Sequence, residues 1–154
     1  MELYQNYIYL AIIREKKNKI MLITRASEYA ILSLILLSKA SSPQGAETLS
    51  KELSISKSFL AKILQSLAKN GVLKSYKGAN GGFALAKEPK DINMLKVMSS
   101  VEGKAPAVFD CASSADDCPS NKAELCSIWP FFNKLQTKID IFLATLTLAD
   151  ILEE

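Results

Sequence analysis

Three cysteines are the residues of this chain whose type and spacing point most clearly to chemistry. Cys111, Cys118 and Cys126 lie within sixteen residues, in the spacing Cys-x6-Cys-x7-Cys. Thiolates on one loop can bind a soft metal centre, and they favour iron–sulfur clusters or zinc. Because the chain has no histidine, a fourth ligand must be an oxygen atom, a non-protein thiol or a residue of another subunit. Inert cysteines, a structural zinc and a disulfide-forming thiol switch are the alternatives.

The cysteines lie between two regions of helical pattern. Residues 104–128 show little periodicity, and a loop of this length is usually functional or disordered. Residues 129–154 predict a helix that continues to Leu152, with Pro130 in its first turn and an apolar stripe that begins at Phe132. Such a stripe exceeds what a small domain can cover, which predicts a dimer seam.

The body that precedes the cysteines, residues 21–103, has the pattern of a winged helix-turn-helix. A first helix, 24–39, begins at the N-cap residue Thr24 and is apolar nearly all round, which predicts burial on most sides. Helices at 46–53 and 57–70 follow, joined by a tight turn. Ser56 is the expected N-cap of the second of these helices, and Gly71 its left-handed C-terminal residue.

Two strands and a further helix complete this body. The strands are expected at 72–76 and 83–86, around a glycine-rich turn at 77–82, and the helix at 92–101. The predicted fold class is therefore mainly α, a winged helix-turn-helix with a two-stranded wing and a long C-terminal dimerisation helix.

Charge divides along the chain in a way that favours an anionic partner for this body. Residues 21–104 carry twelve Lys/Arg and six Asp/Glu, a net of +6, whereas residues 105–154 carry three and eight, a net of −5. The first twenty residues carry four and two, and we interpret 1–20 as an extension upstream of a natural start at Met21. No stretch has the eighteen or so apolar residues of a membrane span, so a cytoplasmic protein without a membrane partner is expected.

A winged helix-turn-helix places its second helix in the major groove, with that helix's N-terminal residues at the base edges. Exposed hydroxyl and ammonium groups there suit phosphates and base edges, and a glycine-rich wing tip can approach the backbone closely. The alternative is a packing arrangement that binds protein instead. The side chains predicted to contact double-stranded DNA are Thr24, Ser56, Lys57, Ser58, Lys62, Lys77 and Asn80.

Three segments give this pattern a specific resemblance. They are MLITRASEYAI at 21–31, ISKSFLAKILQSLAKNGVL at 55–73 and KGANGGFALA at 77–86. They resemble the Rrf-type family of winged helix-turn-helix transcription regulators, and within it the IscR/NsrR-like branch that binds iron–sulfur clusters. The glycine pair Gly81-Gly82 before Phe83 is the most telling piece.

The resemblance implies a homodimer, a palindromic operator, and a 2Fe–2S cluster held by the three loop cysteines. In some members the fourth ligand is a carboxylate from the first helix of the partner subunit, and Glu28 stands at the matching position. Helix-dipole compensation is the alternative role of Glu28. The function expected is a repressor that senses nitric oxide, redox state or iron–sulfur supply.

Two other functions stay open on the sequence alone. One is a cluster-free regulator of the same fold that senses through thiols or a partner protein, and the other is a protein-binding winged helix with a structural zinc loop. An enzyme is not expected, because the chain lacks a histidine base, a Cys-x-x-Cys pair and a phosphate-binding Gly-Lys-Ser/Thr loop.

Overall fold

The computed structural model describes residues 23–109, 116, 118, 122 and 125–153. The predicted extension 1–20 and its junction at Met21 lie outside the described residues, as does Cys111. The elements in chain order are α1 (Arg25–Lys39), α2 (Ala46–Glu52), α3 (Lys57–Lys69), β1 (Leu73–Tyr76), β2 (Gly82–Leu85), a 3-10 turn (Pro89–Asp91), α4 (Met94–Glu102), α5 (Trp129–Thr145) and α6 (Leu148–Leu152).

The helix-turn-helix forms as the sequence predicts. The Ser56 hydroxyl accepts the Phe59 N–H at 3.3 Å, so Ser56 caps α3. Gly71 adopts φ +74° directly after the helix, a conformation that glycine accepts without a steric penalty. Helix α3 buries one apolar face, and α2 packs against it.

The wing is an antiparallel pair whose register runs from Leu73 opposite Leu85 to Tyr76 opposite Gly82. Gln44 forms an additional antiparallel β-bridge with Phe83 of β2, which the sequence did not predict. Its backbone exchanges two hydrogen bonds with Phe83, each 2.9 Å long. A Cβ on Gly82 would lie 2.5 Å from the Gln44 carbonyl, so the close approach of the two backbones requires glycine.

Helix α1 is covered on most sides, as expected, and it is fully buried along one stripe. Ser27, Ala30, Ser33 and Leu34 are buried, but Leu32 is 37% exposed. Helix α1 packs against α4, and the Ser27 hydroxyl donates to Glu102 at the end of α4. The core that results also includes residues of α3, β1, α4 and the chain's last two helices.

The predicted continuous C-terminal helix is wrong at one point, since α5 ends at Thr145 and α6 begins after Thr147. Thr147 and Asp150 form a reciprocal capping box, in which each side chain accepts the other residue's N–H. The chain between the helices pairs with the start of α4, where the Leu148 N–H donates to the Ile92 carbonyl at 2.8 Å. As a result Leu148 is buried in the core of its own domain.

The start of α4 differs from the sequence expectation for a related reason. The helix begins at Met94 and not at residue 92, because the Asn93 side chain accepts the Lys96 N–H at 2.8 Å and caps it. Within the described part of the chain, no helix is both long and apolar enough to cross a membrane.

Candidate nucleic-acid interface and cysteine segment

The N-terminus of α3 is an exposed polar surface. Ser56, Lys57 and Ser58 are exposed there, and Lys62 is exposed one turn later. The Ser56 hydroxyl also caps the helix, so it is held in place by the Phe59 N–H. The buried apolar residues of α3 are Leu60, Ile63, Leu64 and Leu67, whereas Phe59 is 38% exposed beside the polar side chains.

Lys57 forms an ion pair that the sequence did not predict. Its Nζ lies 2.9 Å from Oε2 of Glu47 in α2, and the Lys51 Nζ lies 3.2 Å from the other oxygen, Oε1. The hydrogen bond from Lys57, followed by that from Lys51, lowers the pKa of the Glu47 carboxyl below its ordinary value. The Glu47–Lys51 spacing of four residues was visible in the sequence, whereas the contact with Lys57 depends on the packing of α2 against α3.

The wing tip presents the other predicted contacts. Lys77 and Asn80 are both exposed, as is Lys74 on β1. Tyr76 is 48% exposed at the end of β1. A Cβ on Gly81 would lie 2.4 Å from the Tyr76 carbonyl oxygen, so the tip can be this tight only with glycine at that position. The tight turn of the wing therefore carries the exposed ammonium group of Lys77 and the exposed amide of Asn80.

Thr24 differs from the other predicted DNA contacts because its hydroxyl has partners within the chain. It accepts the Ser27 N–H at 3.2 Å and donates to the Glu102 carboxylate. The buried Ser27 hydroxyl donates to the same carboxylate at 3.0 Å. Thr24 thus ties the start of α1 to the end of α4, and a DNA contact by Thr24 stays a prediction.

Glu28 lies one turn into α1, and its carboxylate is accessible. Arg25 forms an ion pair with it at 2.9 Å, and the Glu28 side chain is 45% exposed. An exposed i,i+3 pair of this kind is weak. The carboxylate is therefore available to a ligand or to a second subunit.

The cysteine segment, residues 111–126, is described only in part. Cys118 and Cys126 are half-buried, and Cys111 lies outside the described residues. Among the residues that the structure describes, no three Cys, Asp or Glu side chains are grouped closely enough to hold a metal ion. The predicted ligand set therefore stays a prediction.

The chain leading into this segment is fastened to α5 by Gln136, which is 6% exposed. Its Oε1 accepts the Val108 N–H at 2.9 Å, and its Nε2 donates to the Pro106 carbonyl at 2.8 Å. The same Nε2 donates to Asp140 Oδ1 at 2.7 Å. Gln136 interrupts the apolar pattern of α5, and no sequence signal assigned it this role.

An aromatic contact strengthens the same attachment. The ring of Phe109 stacks on Phe132 of α5, with centroids 3.9 Å apart. Phe109 is two residues before Cys111, so the stretch 106–109 that leads to the cysteines is held on α5 by both polar and aromatic contacts.

The solvent-exposed side of α5 carries several large apolar side chains beside lysines. Phe131, Ile141 and Phe142 are each 60% exposed, and Ile128 is 51% exposed just before the helix. Exposed apolar side chains grouped in this way mark an interaction surface. The stripe predicted for a dimer seam is only partly exposed, because Leu143 is buried and Ile139 and Leu146 pack against the chain's own core, while Phe142 is exposed. A dimer surface on α5 therefore stays a prediction.

Comparison with known proteins identifies the family. The sequence pattern that defines the Rrf2 family, described as an iron-dependent transcriptional regulator, matches residues 23–154. The chain belongs to the Rrf2 family. The predicted resemblance is therefore confirmed.

Relatives and solved structures agree with this Rrf2 assignment. The chain is 30% identical over 139 residues to the HTH-type regulator NsrR of Geobacillus kaustophilus, covering 87% of this chain and 91% of that protein. It is 30% identical over 141 residues to an rrf2-like HTH-type regulator of Rhodobacter capsulatus, covering 85% and 92%. The structure of CymR, the global cysteine regulator of B. subtilis, is similar with a TM-score of 0.64 at 22% identity, covering 85% and 95%.

The Rrf2 assignment settles the broad function and the fold. The chain is a DNA-binding transcriptional regulator and not an enzyme. Its mainly helical fold with a two-stranded wing matches the Rrf2 structures, among them T. potens IscR with a TM-score of 0.62 at 23% identity, covering 85% of each chain.

Proposed function

We propose that this Rrf2 regulator is a homodimeric repressor whose affinity for a palindromic operator is set by a 2Fe–2S cluster. Cys111, Cys118 and Cys126 are the proposed protein thiol ligands. The fourth ligand in this proposal is Glu28 of the partner subunit. The signal is nitric oxide, redox state or iron–sulfur supply.

The observation that carries the proposal is the attachment of the cysteine segment to α5. Gln136 and Phe132 hold residues 106–109 on this helix, immediately before Cys111. The same helix exposes the apolar face on which we place the second subunit. Cys111 follows Phe109 by two residues, so a change at Cys111 would act next to a stretch of chain that contacts α5.

The donor set fits a soft metal centre with one harder ligand. Thiolates are the usual ligands of iron–sulfur clusters, and the accessible carboxylate of Glu28 supplies an oxygen. When bound, the cluster would supply a centre that reacts with oxidants and nitric oxide. Gln136 and Phe132 would hold residues 106–109 on α5, and Glu28, whose ion pair with Arg25 is weak, would exchange Arg25 for the metal centre.

The proposed DNA contacts are those of the exposed α3 N-terminus and the wing tip. Helix α3 would enter the major groove at Ser56, Lys57 and Ser58, while Lys77 follows the phosphate backbone. In a dimer, the separation of the two α3 helices determines the match to half-sites about one helical turn apart. A shift of α5 relative to its partner would change that separation.

The test begins with anaerobic purification and measurement of the visible spectrum, iron and acid-labile sulfide. The proposal expects a coloured protein with iron and sulfide in equal amounts and a decrease of both in Cys118→Ser and Cys126→Ser variants. A colourless protein that cannot be reconstituted would contradict it. Zinc without sulfide would indicate the structural-zinc alternative, and a reversible disulfide without metal would indicate a thiol switch.

The role of Glu28 is tested separately. Glu28→Ala should shift the visible spectrum of the reconstituted protein, whereas Glu52→Ala, an exposed carboxylate of α2, should leave it unchanged. An unchanged spectrum in Glu28→Ala would remove Glu28 from the ligand set without affecting the three cysteines.

A further inference from the structure

The two helices of the helix-turn-helix are joined by one carboxylate at the surface that faces DNA. Glu47 at the start of α2 divides its oxygens between two ammonium groups, with Lys57 at 2.9 Å and Lys51 at 3.2 Å. The three side chains are between 57% and 76% exposed. This arrangement of donors on two oxygens resembles the way in which lysines meet a DNA phosphate.

Such a contact contributes little to the stability of the fold. Exposed ion pairs are worth about 0–1 kcal/mol, since water and salt screen them. The capping of α3 by Ser56 and the buried apolar face already hold the helix in place. The effect of Glu47 therefore falls mainly on the charge that the two lysines can offer to a partner.

We infer that Glu47 acts as an internal phosphate mimic that restrains sequence-independent DNA binding by this regulator. In the free protein it occupies Lys51 and Lys57, and a DNA phosphate must displace it to reach them. Non-specific complexes depend almost wholly on phosphate contacts, whereas a complex with the operator also gains base contacts. Glu47 therefore weakens the phosphate contacts on which non-specific complexes depend.

This inference rests on the proposed contact of α3 with DNA, but not on the metal chemistry. The experiment uses the full-length protein and a fluorescent random-sequence duplex of about 30 base pairs, with anisotropy measured between about 50 and 200 mM salt. Glu47→Gln should bind this duplex about 3–10-fold more tightly at low salt. The slope of the logarithm of its association constant against the logarithm of the salt concentration should become steeper by about 0.9 for each lysine released.

The matched control is Glu52→Gln. Glu52 is an exposed carboxylate on the same helix, and it forms no ion pair among the residues that the structure describes. This variant changes the net charge by the same amount, so it measures the general electrostatic effect. Equal gains in duplex affinity for Glu47→Gln and Glu52→Gln would overturn the inference. Weaker duplex binding by Glu47→Gln would also overturn it, because that result would mean that Glu47 positions Lys57 for the DNA.

A double-variant cycle locates the effect. In a Lys51→Met, Lys57→Met background, Glu47→Gln should give no greater gain than Glu52→Gln. If Lys57→Met alone leaves binding to the duplex unchanged, the placement of α3 on DNA is wrong and the inference falls with it. The metal proposal would be unaffected by that result, because the anaerobic spectrum tests it independently.

Discussion

Replacing Gln136 by leucine should release the start of the cysteine segment from α5. Leucine has a similar volume but offers no polar atom, so the Val108 N–H and the Pro106 carbonyl would lose their partners at 2.9 and 2.8 Å. A buried group left without a partner costs about 1–3 kcal/mol. Pro106 is buried and Val108 is half-buried, so water can recover only part of this loss.

The expected destabilisation is about 2–3 kcal/mol, after allowance for the apolar burial that leucine gains. Urea unfolding of the full-length protein should show it as a lower midpoint, measured at one fixed protein concentration because the proposed dimerisation would contribute to stability. Hydrogen exchange should also show faster exchange of the Val108 amide.

Thr137→Ala is the matched control for this substitution. Thr137 is the next residue of α5 and is exposed, and its hydroxyl donates only to the Asn133 carbonyl at 3.0 Å. Its removal should cost less than about 0.5 kcal/mol. If Gln136→Leu unfolds at the same urea concentration as Thr137→Ala and protects the Val108 amide equally, the attachment of the segment through Gln136 is refuted.

Three further substitutions test the wing, the dimer face and the α3 cap. Gly82→Ala should destabilise the protein by about 2–4 kcal/mol, because a Cβ at φ +150° would lie 2.5 Å from the Gln44 carbonyl. Thermal unfolding measures this loss, and a midpoint equal to that of the wild type would contradict it. Phe142→Asp should convert the proposed dimer to monomer in sedimentation velocity without loss of helical circular dichroism, and a dimer that persists would place the interface elsewhere. Ser56→Ala should cost about 1 kcal/mol in urea unfolding, since the cap of α3 is lost; no change would mean that the cap contributes nothing.

The features that the sequence predicts well are those determined within a few residues. Ser56 caps α3 and Gly71 closes it because both depend on local backbone geometry. The glycine pair of the wing is another such case, although its partner at Gln44 could not be foreseen. That contact joins residues nearly forty positions apart, and no periodicity encodes it.

At the break after α5, two sequence signals compete: the apolar periodicity of a single long helix and a local capping box. The apolar stripe predicted one helix to Leu152, but the Thr147–Asp150 capping box was present in the sequence and begins a new helix. Pairing of the intervening backbone with the start of α4 stabilises the break. The choice between the two depended on tertiary contacts.

The candidate site was predictable in its residue types but not in its internal contacts. Exposed Lys57 and Lys77 follow from the amphipathic pattern of α3 and the turn chemistry of the wing. The ion pair of Lys57 with Glu47 and the burial of Gln136 arise only when separate elements pack together.

The most direct test of the central claim compares operator affinity in two forms of the same preparation. The anaerobically purified protein is titrated against a duplex from its own promoter region, before and after removal of iron and sulfide by a chelator. We expect the operator affinities of the two forms to differ by at least about tenfold, which is on the scale of about 1–3 kcal/mol that couples two sites, and we expect Cys126→Ser to abolish this difference. Equal affinity of a verified metal-loaded form and the metal-free form would contradict it.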